Sequence, residues 1–399
     1  MQGPTAGGVV AAAALLGRRV NRTPVLESLL LNKELGGGRL LVKAECLQVT
    51  GSFKYRGALH RLLRLRADDP RASARGVVAF SSGNFGQALA AAATSLGVKC
   101  TIVSPHDAPP LKLERIAAYG ATLVTSTPRS AGENREVAAA ALARGLSEEQ
   151  GLTLLHPFDC PHVVHGQGTL GLEFIEQADE ILNRNGPGSI PEENFGVGLT
   201  TMDTIVVPVG GGGMAAGVCL AVEAAGLGRG GDGGGGDGGG RARCRAATRV
   251  VTVEPTGYDD HAHSLGLGRR TSLAEAYPGG LLPSSKHRSV ACDALMASAP
   301  GEVTWPVTSA LLSDAVAVES DARVAAAMRL AFDQFRLVLE PSGALALAAV
   351  LDGLAGPGAQ PGGPVLPPGR VVGVVACGGN TDWNTYAALL GRPPPAAAQ

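Results

Sequence analysis

The chain carries no excess charge of either sign: 34 Lys and Arg stand against 35 Asp and Glu, a formal net charge of −1. That balance gives no electrostatic case for nucleic acid or an anionic membrane as partner. There is no Cys-x-x-Cys pair. The seven cysteines lie scattered at 46, 100, 160, 219, 244, 292 and 377. An odd, dispersed set argues against a disulfide framework or a zinc site and for reduced thiols inside a cell, with the cytoplasm as the expected compartment. Long apolar runs are missing as well. Val9 to Leu16 is the one N-terminal apolar stretch, too short to span a bilayer and without a basic residue ahead of it, which argues against a signal peptide. Arg18, Arg19 and Arg22 leave organellar import open. No internal repeat is visible.

What is present fits a soluble globular protein. At 399 residues with 45% hydrophobic content, two or three domains with a sizeable core are expected. Residues 76–155 alternate strand and helix patterns. The pattern predicts strands at Gly76 to Phe80, Thr101 to Ser104, Ala121 to Thr125 and Leu152 to Leu155. Helices are expected at Gln87 to Leu96, Leu111 to Tyr119 and Glu133 to Arg144. The rhythm resumes from Thr169, with strands at Thr204 to Val209, Arg249 to Val253 and Val371 to Ala376. A helix is expected at Met214 to Ala225, and another capped by Ser320 running to about Phe335. Such alternation predicts parallel sheets with helices on both faces. Gly226 to Arg243 is a Gly/Asp/Arg low-complexity run and reads as a disordered insertion. Residues 184–200, Gly356 to Gly369 and Pro393 to Gln399 read as solvated Gly/Pro-rich connections and a loose tail.

Four stretches carry chemistry. In Thr50-Gly51-Ser52-Phe53-Lys54-Tyr55-Arg56-Gly57, a lysine sits between an aromatic and a second cation. The apolar run before it and the Ala/Leu pattern after it place Lys54 near a helix start. The macrodipole there opposes its charge and lowers its pKa. A lysine moved toward neutrality is what condensation with an aldehyde cofactor needs. A surface lysine ahead of a helix is the competing reading. Gly210-Gly211-Gly212-Gly213-Met214 follows a buried strand and opens a helix, so its backbone N–H groups form an anion nest. A dinucleotide site competes, since Glu254 ends the next strand where a ribose-binding acid belongs, but the spacing is Gly-x-Gly-x-x-x-Gly, one residue off that fingerprint. Ser81-Ser82-Gly83-Asn84-Phe85-Gly86-Gln87 offers hydroxyls and amides at a helix start, where a carboxylate would bind. The alternative is a plain N-cap. Cys377-Gly378-Gly379-Asn380 follows an apolar strand, and its thiol reads equally as a buried structural cysteine.

These four motifs in this order, from about Val20 to about Asp382, resemble the serine racemase and threonine dehydratase group of fold-type II enzymes dependent on pyridoxal 5′-phosphate (PLP). The resemblance implies an α/β fold of two open, twisted, mostly parallel sheets with helices on both faces, similar to the tryptophan synthase beta chain, with the cofactor in the cleft between them. It implies a large domain from 1–65 and 155–399 and a small domain from 66–154. Lys54 would hold PLP, with Phe53, Asn84, Gly210, Gly211, Gly212, Gly213, Met214, Cys377 and Gly378 around it. Ser81, Ser82, Gly83, Asn84, Gln87 and Arg135 would bind the substrate. Ser82 would face the side of the cofactor opposite Lys54, as the second acid/base of a racemase. Phe85 replaces the histidine many relatives carry, and His156-Pro157-Phe158-Asp159 is more similar to the dehydratases. His165-Gly166-Gln167-Gly168-Thr169 also fits the family.

Glu254, the Tyr258 carbonyl and Asp260 resemble the family's divalent-cation loop and would take Mg²⁺ or Ca²⁺ through hard oxygen ligands. His261 and His263 raise a transition metal as the alternative. The implied activity is β-elimination of a small hydroxy-amino acid, serine or threonine. Racemisation of serine, elimination from 3-hydroxyaspartate and a non-catalytic binding protein are the alternatives. The family suggests a homodimer. The chain stops after the Cys377 motif, so the regulatory domain that some threonine dehydratases append is not expected.

Overall fold

The computed structural model describes residues 3–81, 83–127, 135–183, 202–228, 247–280, 291–354 and 365–391. The expected insertion and Gly/Pro-rich connections fall largely outside these residues, as does Ser82. Ten strands are described: β1 (Val25–Glu27), β2 (Arg39–Lys43), β3 (Val77–Phe80), β4 (Cys100–Pro105), β5 (Thr122–Ser126), β6 (Thr153–Leu155), β7 (Thr204–Pro208), β8 (Arg249–Pro255), β9 (Asp314–Val318) and β10 (Val371–Val375).

They form two sheets. One has the order β1-β2-β10-β7-β8-β9, the other β5-β4-β3-β6. Every pairing is parallel except β1 with β2. Buried parallel strands read as continuous β-branched runs because both faces meet apolar partners. β10, Val-Val-Gly-Val-Val, is buried throughout. Alternate residues of the larger sheet enter opposite cores: Leu40, Val42, Val206, Val372 and Val374 one, Leu41, Ile205, Val207, Val371 and Val375 the other. The smaller sheet divides likewise, Val77, Ala79 and Ile102 from Val78 and Val103. Helices therefore cover both faces of both sheets, as the alternation predicts.

Two helices fix the ground on which the site stands. Pro161–Leu182 and Gly213–Ala224 approach so closely that a Cβ on Gly217 would lie 2.5 Å from the Gly168 nitrogen, and one on Gly168 would lie 2.7 Å from the Gly217 carbonyl. Only glycine permits that separation. The apolar run near the N-terminus is the helix Ala6–Leu16, capped by Thr5 and burying Val9, Ala12 and Leu16.

Three details differ from the sequence expectation. β1 and β9 were not anticipated: β1 is the antiparallel edge, and β9 is a half-buried edge strand of little apolar contrast. The helix capped by Ser320 is α-helical over Asp321–Leu330, then widens into a π turn at Ala331–Phe335. Among the described residues no disulfide forms, and no helix is long and apolar enough to cross a membrane.

Candidate active site

A cavity of about 1190 Å³ opens where the strands end. Its walls include Phe80 and Ser81 from the end of β3, Pro208 to Gly213 after β7, and Cys377 after β10. Parallel α/β sheets place ligands at this carboxyl edge, where loops are free to vary and helix N-termini point inward. Lys54 and the four glycines share this one cavity.

Lys54 is the first residue of the helix Lys54–Asp68. Its Nζ donates to the Pro157 carbonyl at 3.2 Å and stands 5.2 Å from the Phe53 ring centroid and 6.0 Å from that of Phe85. Burial lowers its pKa to about 8, because an ammonium among aromatic rings loses hydration that no carboxylate replaces. Behind it, fully buried Arg56 pairs with Glu45 at 2.7 Å and Glu173 at 3.1 Å. The second cation of the motif is thus a structural ion pair.

The glycine turn lines the cavity and ends in the helix Gly213–Ala224. Gly212 has φ +90°, the left-handed region open to glycine. A Cβ on Gly211 would overlap the Phe158 ring. Thr304 Oγ1 donates to the Gly211 carbonyl at 2.7 Å and fixes the turn from behind. The first N–H groups of that helix lack intrahelical acceptors and suit a phosphate. Cys377 is buried, and burial holds its thiol well above the usual range, so it stays protonated. It donates to the Ser342 carbonyl at 3.6 Å.

The other expected site residues divide. Ser81 lines the cavity, and its Oγ accepts from Gly83 N at 3.2 Å and Gly86 N at 3.0 Å, so it meets backbone N–H groups at the start of the helix Asn84–Leu96, whose N-cap residue is Gly83. Gly83, Asn84 and Met214 are on the wall; Gly378 is not, and sits under it, bridged to Ser52. Arg135 is on the wall but is ion-paired to Asp107 at 3.0 Å. Gln87 is fully buried off the wall, with neither amide atom hydrogen-bonded.

Sequence reasoning missed Glu340 and Lys112. Glu340 precedes Pro341, the N1 residue of the helix Pro341–Leu351, a helix-start signal that is readable in hindsight. It lines the cavity and accepts from Asn84 Nδ2 at 2.5 Å. Burial raises its pKa to about 7. Lys112 pairs with Asp293 at 2.7 Å, a contact between the two sheets' surroundings.

The cation loop also assembles. Glu254, next to last in β8, accepts from the backbone N–H of His261 and Ala262, both at 2.8 Å. Asp260 is buried beside it with both carboxylate oxygens unpartnered. Burial and then the charge of Asp260 push Glu254 well above the usual carboxylate range. Two buried acids side by side, one of them with both oxygens open, fit a divalent cation. His263 does not join them; it meets the Tyr277 hydroxyl at 3.0 Å.

A family model described as "Pyridoxal-phosphate dependent enzyme" matches residues 16–378. The chain belongs to this family. This PLP-dependent enzyme is 32% identical to a serine racemase of Arabidopsis thaliana over 92% of this chain and 91% of the relative. It is 30% identical to an L-threo-3-hydroxyaspartate ammonia-lyase of Saccharomyces cerevisiae over 97% and 96%. A solved structure of a threonine deaminase from T.th. matches at a TM-score of 0.71 and 35% identity, covering 95% of this chain and 99% of that one. The residues of this PLP enzyme fit the group: a depressed amine, a glycine cradle at a helix N-terminus and a neutral thiol face one space.

Proposed function

We propose that the enzyme eliminates the β-hydroxyl of L-serine or L-threonine to give a 2-oxo acid and ammonia. The observation that carries this reading is the single cavity shared by the Lys54 amine and the glycine turn Gly210–Gly213. Bound PLP would supply an electron sink for the α-carbon. Lys54 then takes the α-proton onto Nζ. The cost is small, because burial already brings the amine to about 8, near working pH. The C–O bond at the β-carbon breaks and the hydroxyl leaves as water, with one proton taken up there for the one Lys54 removed, so that the step releases no net proton. The enamine released hydrolyses to the 2-oxo acid and ammonium.

Phe53, Asn84, Gly210 to Met214, Cys377 and Gly378 hold the cofactor in this reading. The protonated Cys377 thiol, which carries no negative charge, would leave the bound cofactor a weaker electron sink than a carboxylate would and so favour loss of a β-leaving group. Ser81, Gly83 and the helix start at Asn84 orient the substrate carboxylate. Arg135 joins them if it leaves Asp107. Residues 66–154 serve as a small domain against a large one of 1–65 and 155–399, and two copies form a homodimer. Glu254, the Tyr258 carbonyl and Asp260 bind a divalent cation, Mg²⁺ or Ca²⁺ in the oxygen-only reading. The cytoplasm is the compartment that suits scattered thiols.

A second reading, racemisation of serine, draws support from the serine racemase relatives and from the presence of Ser82, which lies outside the described residues. Purified enzyme given L-serine, L-threonine and 3-hydroxyaspartate, with and without Mg²⁺, tests the proposal through 2-oxo acid and D-serine. Keto acid from serine or threonine is expected. D-serine without pyruvate moves the assignment to the racemase, and Ser82→Ala should then abolish D-serine alone. Turnover of 3-hydroxyaspartate alone overturns both.

A further inference from the structure

His261 stands out among the residues the proposed chemistry does not use. It is 0% exposed, yet neither ring nitrogen has a hydrogen-bond partner. An imidazole sealed from water with both polar edges unused costs free energy unless something meets it. Nδ1 faces the acids of the cation loop, 3.5 Å from Asp260 Oδ2 and 3.7 Å from Glu254 Oε1. Neither contact has hydrogen-bond geometry. The donor atoms of Glu254, Asp260 and His261 all lie within 4.8 Å of one another.

The 3.5 Å separation suits atoms that share a third body, and the 3.7 Å one lies just outside it. Ligands held about 2.1 Å from one cation at roughly right or tetrahedral angles stand about 3 to 3.5 Å apart. Nε2 lies on the side of the glycine turn, 3.0 Å from where a Cβ on Gly212 would be. Coordination through Nδ1 leaves the proton on Nε2, at the edge facing that turn.

We propose that His261 Nδ1 is a nitrogen ligand to the cation held by Glu254 and Asp260, so that this site selects a first-row transition ion, Mn²⁺ or Zn²⁺, over Mg²⁺ and Ca²⁺. The proposal rests on reading Glu254 and Asp260 as a cation site and changes its donor set from oxygen alone to mixed nitrogen and oxygen. Imidazole favours the borderline transition metals, whereas carboxylate and carbonyl oxygens alone suit Mg²⁺ and Ca²⁺. Tyr258 lies in the same loop, and its carbonyl with water completes the shell.

The test uses full-length holoenzyme stripped of metal and titrated separately with Mn²⁺, Mg²⁺ and Ca²⁺ by calorimetry. Pulsed electron paramagnetic resonance of the bound Mn²⁺ then reports any directly bound nitrogen. We expect a nitrogen coupling and Mn²⁺ affinity at least about tenfold above that for Mg²⁺. In His261→Phe, which keeps a ring but removes the donor, the coupling should vanish and the preference collapse. Mn²⁺ bound without nitrogen coupling overturns the histidine ligand and leaves the oxygen site standing. Failure of all three ions to bind overturns both. The wild-type spectrum decides the matter if His261→Phe does not fold.

Discussion

Asn84 donates its side-chain amide to Glu340 at 2.5 Å across 256 residues of sequence. The bond joins the start of the helix behind β3 to the start of the helix Pro341–Leu351, and both residues line the cavity. Asn380 closes the other side, donating to Asn84 Oδ1 at 2.8 Å. The amide is thus held from two directions before any ligand arrives.

Glu340 makes stability fall as pH rises. Its pKa is raised by burial from 4.5 to about 7. Below 4.5 the folded and unfolded chains both keep the proton. Between 4.5 and 7 only the unfolded chain releases it, so stability declines and then levels off above 7. The loss is on the order of 3 kcal/mol. Denaturant melts at about pH 5 and about pH 8 should show this decline in the wild type and a smaller one in Glu340→Gln. Equal slopes would disprove the assignment.

Lys54→Ala should abolish both turnover and the near-visible absorbance of bound PLP, with a loss of more than about a thousandfold in kcat. The apoenzyme offers a finer check. Because burial lowers Lys54 to about 8, its reactive neutral form grows as pH passes through that value. The rate of PLP uptake should rise with a midpoint near 8. A midpoint near 10.5 would show a solvated lysine.

Gly211→Ala should weaken PLP binding, since the added methyl overlaps the Phe158 ring. Phe158→Ala in the same chain removes the obstacle and should restore much of the affinity, a coupling of about 1 kcal/mol or more. Gly212→Ala has no such remedy, because φ +90° is strained for any side chain. Fluorescence titration of the apo forms reads all three.

Arg56→Met should lower stability by roughly 3 to 5 kcal/mol, since it leaves buried Glu45 without its counter-charge. Urea midpoints measure it. A change under about 1 kcal/mol would mean that Lys43 and Thr23 compensate fully.

The site was legible where its chemistry is local. Lys54 at a helix start and four glycines between strand and helix announce themselves, because the conformations they permit are narrow. The central strands were legible because burial on both faces leaves a continuous β-branched run. Glu340 was not, since its meaning comes from Asn84 far away in sequence. β9 escaped notice because an edge strand, half wet, carries little pattern.

β10 is the last of the described strands, yet it lies between β2 and β7, with Val375 opposite Lys43 and Val374 opposite Val206. During synthesis the strand that joins β2 to β7 therefore emerges after both of them. Until then β2 and β7 each keep an open edge. Such late, long-range closure makes the nascent chain slow to fold and exposed to aggregation. A cut just before Val371 would remove the keystone and not a tail.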